Sequence, residues 1–340
     1  MGDIVKPTEA MVEVIGGGMA GPIGEMLLAN HMNVNAVRQQ QQLKLNDLLP
    51  YESWKEIDRV ILMAYQQRLV GLADLLARNL VYNIPNGLGV TVLGYQDVSD
   101  AEAASMDMDG ITGGRRDRPQ VNTNYLPMPI IHADFSFNIR DLEAARRYGM
   151  PLDTTQAERA GRKCAEKAET VLFTGASTYT FGGGTIYGYL DEPYNEDVTL
   201  NAHWNDSAAS GATILEDTRS LKQALINNRC FGPYMLYVPT NFETKLDDDY
   251  VAGYPKTIRQ RILEVEGIMG IKVADFLTSD YVVLVQLTSD VIRIVSGLPL
   301  TTLQWESQGG MQLNFKVMTI QVPQTRHDQD GRCGIAVGTL

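Results

Sequence analysis

The sequence predicts a mixed α+β fold, and three observations support this class. Between Asp153 and Gly175, apolar and charged residues recur with helical spacing. Two extended segments, Gly89 to Val98 and Val121 to Phe137, alternate apolar and polar side chains as strands do. Beyond Ile214, short apolar runs alternate with helical patterns, which is the succession of an α/β layer.

The residues before the first of these segments fall into two parts. Residues 1–49 are rich in glycine and asparagine and predict an arm that depends on a partner for its order. Gly16, Gly18 and Gly21 also have the spacing of a dinucleotide-binding turn. A nucleotide-dependent oxidoreductase built on this turn remains an alternative, although no repeated βαβ units follow to complete its sheet. Residues 50–79 predict one long amphipathic helix over Pro50 to Arg78, with apolar residues three or four apart.

Residues 80–137 predict a long two-stranded hairpin with a polar tip. Such a hairpin is marginal in isolation, so we expect it to lie on a neighbouring molecule. Arg115, Arg116 and Arg118 at the tip would meet carboxylates of that neighbour. A solvated surface loop is the alternative. The acidic pair Asp107 and Asp109 lacks the third acidic position and the final glutamate of a calcium loop, so no metal is expected there.

The long helix has the clearest start and end in the sequence. Asp153 and Thr155 precede Gln156 and Glu158 at capping-box spacing, and Gly175 ends the helix. Its apolar side chains are mostly small, which predicts close packing against a sheet. Glu158, Arg162 and Glu166 form a charged ladder at i, i+4 spacing on another face.

The remainder predicts a second hairpin, an α/β layer and returning strands. Thr178 to Leu190 reads as a hairpin that turns at its glycines, and Tyr281 to Leu287 as a central strand. Asp247, Asp248 and Asp249 form an acidic turn before a helix at Thr257 to Glu266. Strands within 300–340 are expected to return beside the long helix.

Composition excludes several functions. The net charge is −12, which disfavours extensive nucleic-acid binding because phosphate contacts require clustered Lys and Arg. Three scattered cysteines predict reduced thiols, and four distant histidines complete no catalytic or metal motif. We therefore expect no enzyme activity and no cofactor. No apolar run reaches the length of a membrane helix, and no membrane association is expected.

The order of these elements, with the phrases PIIHADFSFNIRDLEAA, ETVLFTGA and PYMLYVPTNFETKL, resembles the encapsulins and tailed-phage major capsid proteins. The resemblance implies the Hong Kong 97-type capsid fold, in which the hairpin is the E-loop and the long helix is the spine helix. The implied parts are an N-terminal arm (1–49), an N-terminal helix (50–79), the E-loop hairpin (80–137), a peripheral domain with the spine helix (138–213), an axial domain (214–299) and peripheral return strands (300–340).

The resemblance also implies a function. It predicts a phage major capsid protein that forms pentamers and hexamers of an icosahedral shell, assembled in the host cytoplasm, around double-stranded DNA that it does not recognise by sequence. Scaffolding, portal and decoration proteins are further partners that it implies. The alternative is an encapsulin nanocompartment around a cargo enzyme. Inter-subunit contacts are expected at the arginines of the hairpin tip, the charged ladder of the long helix and the acidic turn.

Overall fold

The structure is a computed structural model that describes residues 51–98, 106, 108, 121–140, 154–206, 209–251, 256–277, 280–328 and 330–340. The described residues fall into two units. The larger one is drawn from 65–131, 162–299 and 319–340, and the smaller one from the residues up to 64, 132–161 and 300–318. Each unit is described by itself below.

Six α-helices lie in the described residues: α1 (Tyr51–Arg68), α2 (Gly71–Ala77), α3 (Thr155–Thr174), α4 (Gly211–Asn227), α5 (Glu243–Leu246) and α6 (Ile258–Leu263). The strands of the same residues are β1 (Val81–Asn83), β2 (Val92–Val98), β3 (Val121–Pro127), β4 (Ile131–Asn138), β5 (Ala176–Phe181), β6 (Gly184–Ile186), β7 (Glu196–Thr199), β8 (Tyr234–Val238), β9 (Ile268–Val273), β10 (Val282–Gln286), β11 (Ile292–Ser307), β12 (Gln312–Thr325) and β13 (Ile335–Thr339).

A five-stranded sheet of order β7-β13-β10-β8-β9 forms the centre of the larger unit. β10 runs antiparallel to both of its neighbours, and every residue of β8 and β10 is buried. The predicted central strand at Tyr281 to Leu287 is therefore confirmed. α4 and α6 supply Leu215, Leu221 and Ile262 to the core on this sheet.

The last strand, β13, pairs in that sheet with β10 and with β7. The sequence pattern predicted instead that the strands of 300–340 return beside the long helix. Four of the five residues of β13 are buried, as a strand with two hydrogen-bonded neighbours requires. No local pattern encodes which strands those neighbours are.

The predicted single helix from Pro50 to Arg78 is wrong in one respect, because the structure divides it. α1 ends at Arg68 and α2 begins at Gly71. The backbone N–H groups of Val70, Gly71 and Leu72 at this break donate to the side chain of Glu169, at 2.7, 3.2 and 3.0 Å. A buried carboxylate thus replaces the hydrogen bonds that a continuous helix would have made.

The predicted hairpin is present at its base, where β2 and β3 pair antiparallel over seven residue pairs from Val92↔Pro127 to Val98↔Val121. The expected second strand, Val121 to Phe137, is divided into β3 and β4. β4 belongs to a different sheet, of order β1-β11-β12-β4. Pro127 ends β3 and Pro129 lies in the gap before β4, and proline removes a donor that a continuous ladder would need.

The hairpin predicted within Thr178 to Leu190 is confirmed as β5 and β6. Gly182 and Gly183 make its turn with φ of 60° and 80°, a conformation that favours glycine. Gly184 lies so close to the ribbon of β2 and β3 that an added Cβ would be 2.1 Å from the carbonyl oxygen of Tyr125. The hairpin therefore supports the base of the ribbon.

In the smaller unit, α1 and α3 approach closely at a glycine. A Cβ on Gly161 would lie 2.6 Å from the carbonyl oxygen of Ile61. The small side chains of α3 thus allow a helix to approach at this point, where the sequence analysis expected a sheet. Aromatic rings fill the space between β4 and β12: Phe135 stacks on Phe315 at 4.9 Å, and Phe137 packs edge-on against both rings.

Candidate inter-subunit surfaces

The charged ladder of the long helix lies beside its buried face. Ala157, Ala160, Cys164 and Ala168 are buried, Glu158 and Glu166 are half-buried, and Arg162 is exposed. Glu166 accepts a hydrogen bond from Lys163 at 2.6 Å. The structure therefore places Glu158, Arg162 and Glu166 in one row of α3, as their spacing predicts. Their role as contacts between copies stays a prediction.

The acidic turn is bound to the start of α6 within the same chain. Asp247 pairs with the guanidinium of Arg259 at 2.9 Å, and Asp248 pairs with Lys245 at 3.1 Å. Asp249 forms a backbone bridge with Thr257, the residue that caps α6. All three carboxylates are exposed. The turn is thus held in a defined shape, with a carboxylate surface that a neighbouring copy could contact.

The arginines predicted at the hairpin tip, Arg115, Arg116 and Arg118, lie outside the described residues. The ribbon of β2 and β3 that leads to them is described, and it is only two strands wide. Val121 and Tyr125 of β3 are about half exposed, at 50% and 47%. The ring of Tyr125 covers Gly94 on the paired strand, 3.7 Å from the position of a Cβ there. The ribbon pairs with no third strand among the described residues.

Sequence reasoning missed a buried polar cluster in the larger unit. Besides the three N–H groups that Glu169 binds, Asp74 of α2 accepts from the hydroxyl of Tyr237 at 2.9 Å and pairs with Lys272 at 2.5 Å. Burial raises the pKa of Glu169 to about 7, against the lowering effect of its backbone donors. The only available signal was an acidic residue on the small apolar face of a predicted helix.

Three tyrosine hydroxyls lie inside this unit. Tyr65 donates to Gln321 at 2.7 Å, and Tyr237 donates to Asp74. The hydroxyl of Tyr189 has no hydrogen-bond partner among the described residues. Burial is the main cause that raises the pKa of each of these three groups.

One histidine, His327, joins a buried carboxylate. Its Nδ1 lies 3.4 Å from Glu192, which is 3% exposed and also accepts from Thr325. The neighbouring Glu192 carboxylate raises the pKa of His327. In the part of the chain that the structure describes, no group of three or more His, Cys, Asp and Glu side chains is arranged to hold a metal ion.

Among the same described residues, no single helix is both long enough and apolar enough to span a membrane. One pair, Lys55–Gln67 with Gly71–Ala77, meets the length and composition criteria jointly, with a bend of 100° between its parts.

The arrangement of ribbon, long helix and five-stranded sheet is the Hong Kong 97-type capsid fold, which places the chain in the class of capsid and encapsulin-like shell folds. A virus-like particle from Pyrococcus furiosus superposes with a TM-score of 0.61 at 18% identity, over 84% of this chain and 98% of that one. The capsid of Myoviridae Phage XM1 superposes with a TM-score of 0.60 at 10% identity, over 77% and 90%.

The chain belongs to a family of unknown function, DUF6260, whose model matches residues 35–338. It is also similar to the type 1 encapsulin shell protein EncA of Myxococcus xanthus (strain DK1622). The two chains are 26% identical over 233 residues, which are 67% of this chain and 70% of that relative.

Proposed function

We propose that this protein is a major capsid protein that assembles with copies of itself into pentamers and hexamers of an icosahedral shell around phage double-stranded DNA. The ribbon of β2 and β3 carries the proposal. It is two strands wide and exposes Val121 and Tyr125 in the single chain. Because a two-stranded ribbon is marginal in water, a neighbouring copy is the natural source of the missing contacts.

Charge complementarity supports the same contact. The proposed hairpin tip carries Arg115, Arg116 and Arg118, while the described surface offers the exposed carboxylates of the acidic turn. Each exposed pair contributes only up to about 1 kcal/mol. Closure of a shell multiplies such contacts, so weak pairs suffice for a durable particle. Assembly would take place in the host cytoplasm, with the virion as the final location and with scaffolding, portal and decoration proteins as further partners.

The test is electron microscopy of the purified chain, with nuclease-protected nucleic acid measured in any particles. We expect closed particles from the unaltered chain. Replacing the three arginines of the hairpin tip with glutamate should abolish the particles. Replacing them with lysine should preserve the particles, because the charge is kept. Particles that form equally well from the glutamate variant would overturn the proposed contact of the hairpin tip. A strictly monomeric unaltered chain at high concentration would overturn the shell itself.

A second candidate is an encapsulin-type shell around a cargo protein, which the similarity to EncA favours. The two candidates differ in what the particles contain. A genome shell yields nuclease-protected DNA when particles are isolated from the native source. A nanocompartment yields a stoichiometric second protein and no protected DNA.

A further inference from the structure

The exposed face of α3 carries a row of three cations. Arg159, Lys163 and Lys167 follow one another at i, i+4 and i+8, and all three are exposed. Neighbours at this spacing lie about 5–6 Å apart, so the row is about 12 Å long. We call these three residues the basic row. It lies next to the charged ladder of Glu158, Arg162 and Glu166 but is separate from it.

The row differs from the rest of the chain in charge. Acidic residues outnumber basic ones by 41 to 29 in the whole sequence, yet every exposed charged residue of α3 is basic. The carboxylates of the helix are less exposed than its cations. The side chain of Glu166 is 20% exposed, whereas that of Lys163, its partner, is 73% exposed. The outermost layer of the helix therefore presents positive charge even where a pair is made.

The chemistry of the row favours a polyanion over a protein surface. Large exposed apolar residues occur at many places in the described chain, but none lies on α3. Protein interfaces depend on buried apolar or aromatic anchors at their centre. Binding to a phosphate backbone needs only clustered cations, and duplex DNA offers about one negative charge per 1.7 Å of its axis.

We infer that the basic row is a weak, sequence-independent binding surface for the phosphate backbone of nucleic acid. The inference rests on the proposed function, since three cations per chain bind weakly and only the many copies of a shell make the total attraction substantial. The acidic remainder of the surface repels the polymer and leaves it able to slide between these rows.

The experiment uses the full chain held at high density on beads through an N-terminal tag, which supplies many copies without requiring a shell. Retention of a fluorescent DNA duplex is measured between about 50 and about 200 mM salt. The charge-removing variant carries Arg159→Gln, Lys163→Gln and Lys167→Gln. The charge-conserving variant carries Arg159→Lys, Lys163→Arg and Lys167→Arg. A third variant removes three exposed cations elsewhere, with Lys55→Gln, Arg59→Gln and Arg219→Gln.

We expect removal of the row to lower DNA retention about tenfold at low salt and to reduce the salt slope by about 2.7, at about 0.9 per phosphate contact. The charge-conserving variant and the variant with cations removed elsewhere should retain DNA like the unaltered chain. The inference would be overturned if removing cations elsewhere lowered DNA retention as much as removing the row. It would also be overturned if the beads retained a polyglutamate peptide as well as DNA, which would assign the row to an acidic protein.

This test is independent of the proposed function. Beads that retain DNA through the row while no particles form in solution would sustain the inference and reject the shell. Particles that form while DNA retention is unaffected by loss of the row would sustain the shell and reject the inference.

Discussion

The side chain of Glu169 lies 2.7 Å from the backbone nitrogen of Val70, at the point where the first helix ends. Ninety-nine positions separate the two residues in the sequence. The same carboxylate binds the next two N–H groups of the chain and is fully buried. A charge held in this way affects stability in a pH-dependent manner, because burial favours its protonated form.

Replacement of Glu169 by glutamine should weaken the dependence of stability on pH. The pKa of Glu169 is raised from 4.5 to about 7 in the folded chain, so between these values the folded chain binds a proton that the unfolded chain lacks. The resulting stabilisation is fully present below pH 4.5 and is lost as the pH rises through about 7. Urea unfolding should show a difference of about 3 kcal/mol between acidic and alkaline conditions that Glu169→Gln removes.

Glu216→Gln is the matched control, because Glu216 is exposed on α4. It should leave the pH profile of unfolding unchanged. A Glu169→Gln profile parallel to that of the unaltered chain would show that the carboxylate does not titrate in this range.

Tyr237→Phe should destabilise the chain by about 1.5–3 kcal/mol, because it removes a hydrogen bond to the buried carboxylate of Asp74. Chemical denaturation measures this loss. Tyr179→Phe, at an exposed position of β5, serves as the control and should change the free energy of unfolding by less than about 0.5 kcal/mol. Similar values for the two variants would mean that Asp74 is satisfied by Lys272 alone.

Gly161→Ala should lower the melting temperature, contrary to the usual gain of about 1 kcal/mol for this exchange inside a helix. The added Cβ would lie 2.6 Å from the carbonyl oxygen of Ile61, and a backbone atom cannot yield without a shift of α1. Lys167→Ala, exposed on the same helix, should be nearly neutral. A stabilised Gly161→Ala variant would show that α1 and α3 separate at little cost.

Asp247→Asn separates the two roles of the acidic turn. Its exposed pair with Arg259 should contribute less than about 1 kcal/mol, so the free energy of unfolding of the single chain should hardly change. If the turn contacts a neighbouring copy, particle yield measured by light scattering should fall. Asp206→Asn, exposed in a loop, is the control that should affect neither quantity. An unchanged particle yield would remove the turn from the set of inter-subunit contacts.

Elements with local signals were predicted well. The apolar run at Tyr281 to Leu287 predicted the central strand, and Gly182 and Gly183 predicted a turn that needs positive φ. The break between α1 and α2 was missed because Leu69 and Leu72 keep helical spacing across it. What ends the helix is Glu169, and contacts so distant in sequence leave no trace in a local pattern.

The sequence pattern also did not predict which strands pair with one another. The alternation through Phe135 and Phe137 fits one long hairpin strand as well as it fits a strand of another sheet. The partners of β13 are likewise set by burial in the folded core. The candidate contact surfaces were predicted as positions on a helix and a turn, while the internal pairs with Lys163, Lys245 and Arg259 emerged only in three dimensions.

The buried hydroxyls of Tyr65, Tyr189 and Tyr237 give the chain a built-in optical reporter. Because burial raises the pKa of each above its ordinary value, all three stay neutral in alkali for as long as the interior is closed. A late rise in tyrosinate absorbance, delayed in time at constant alkaline pH, therefore records the rate at which the larger unit opens, without any added label.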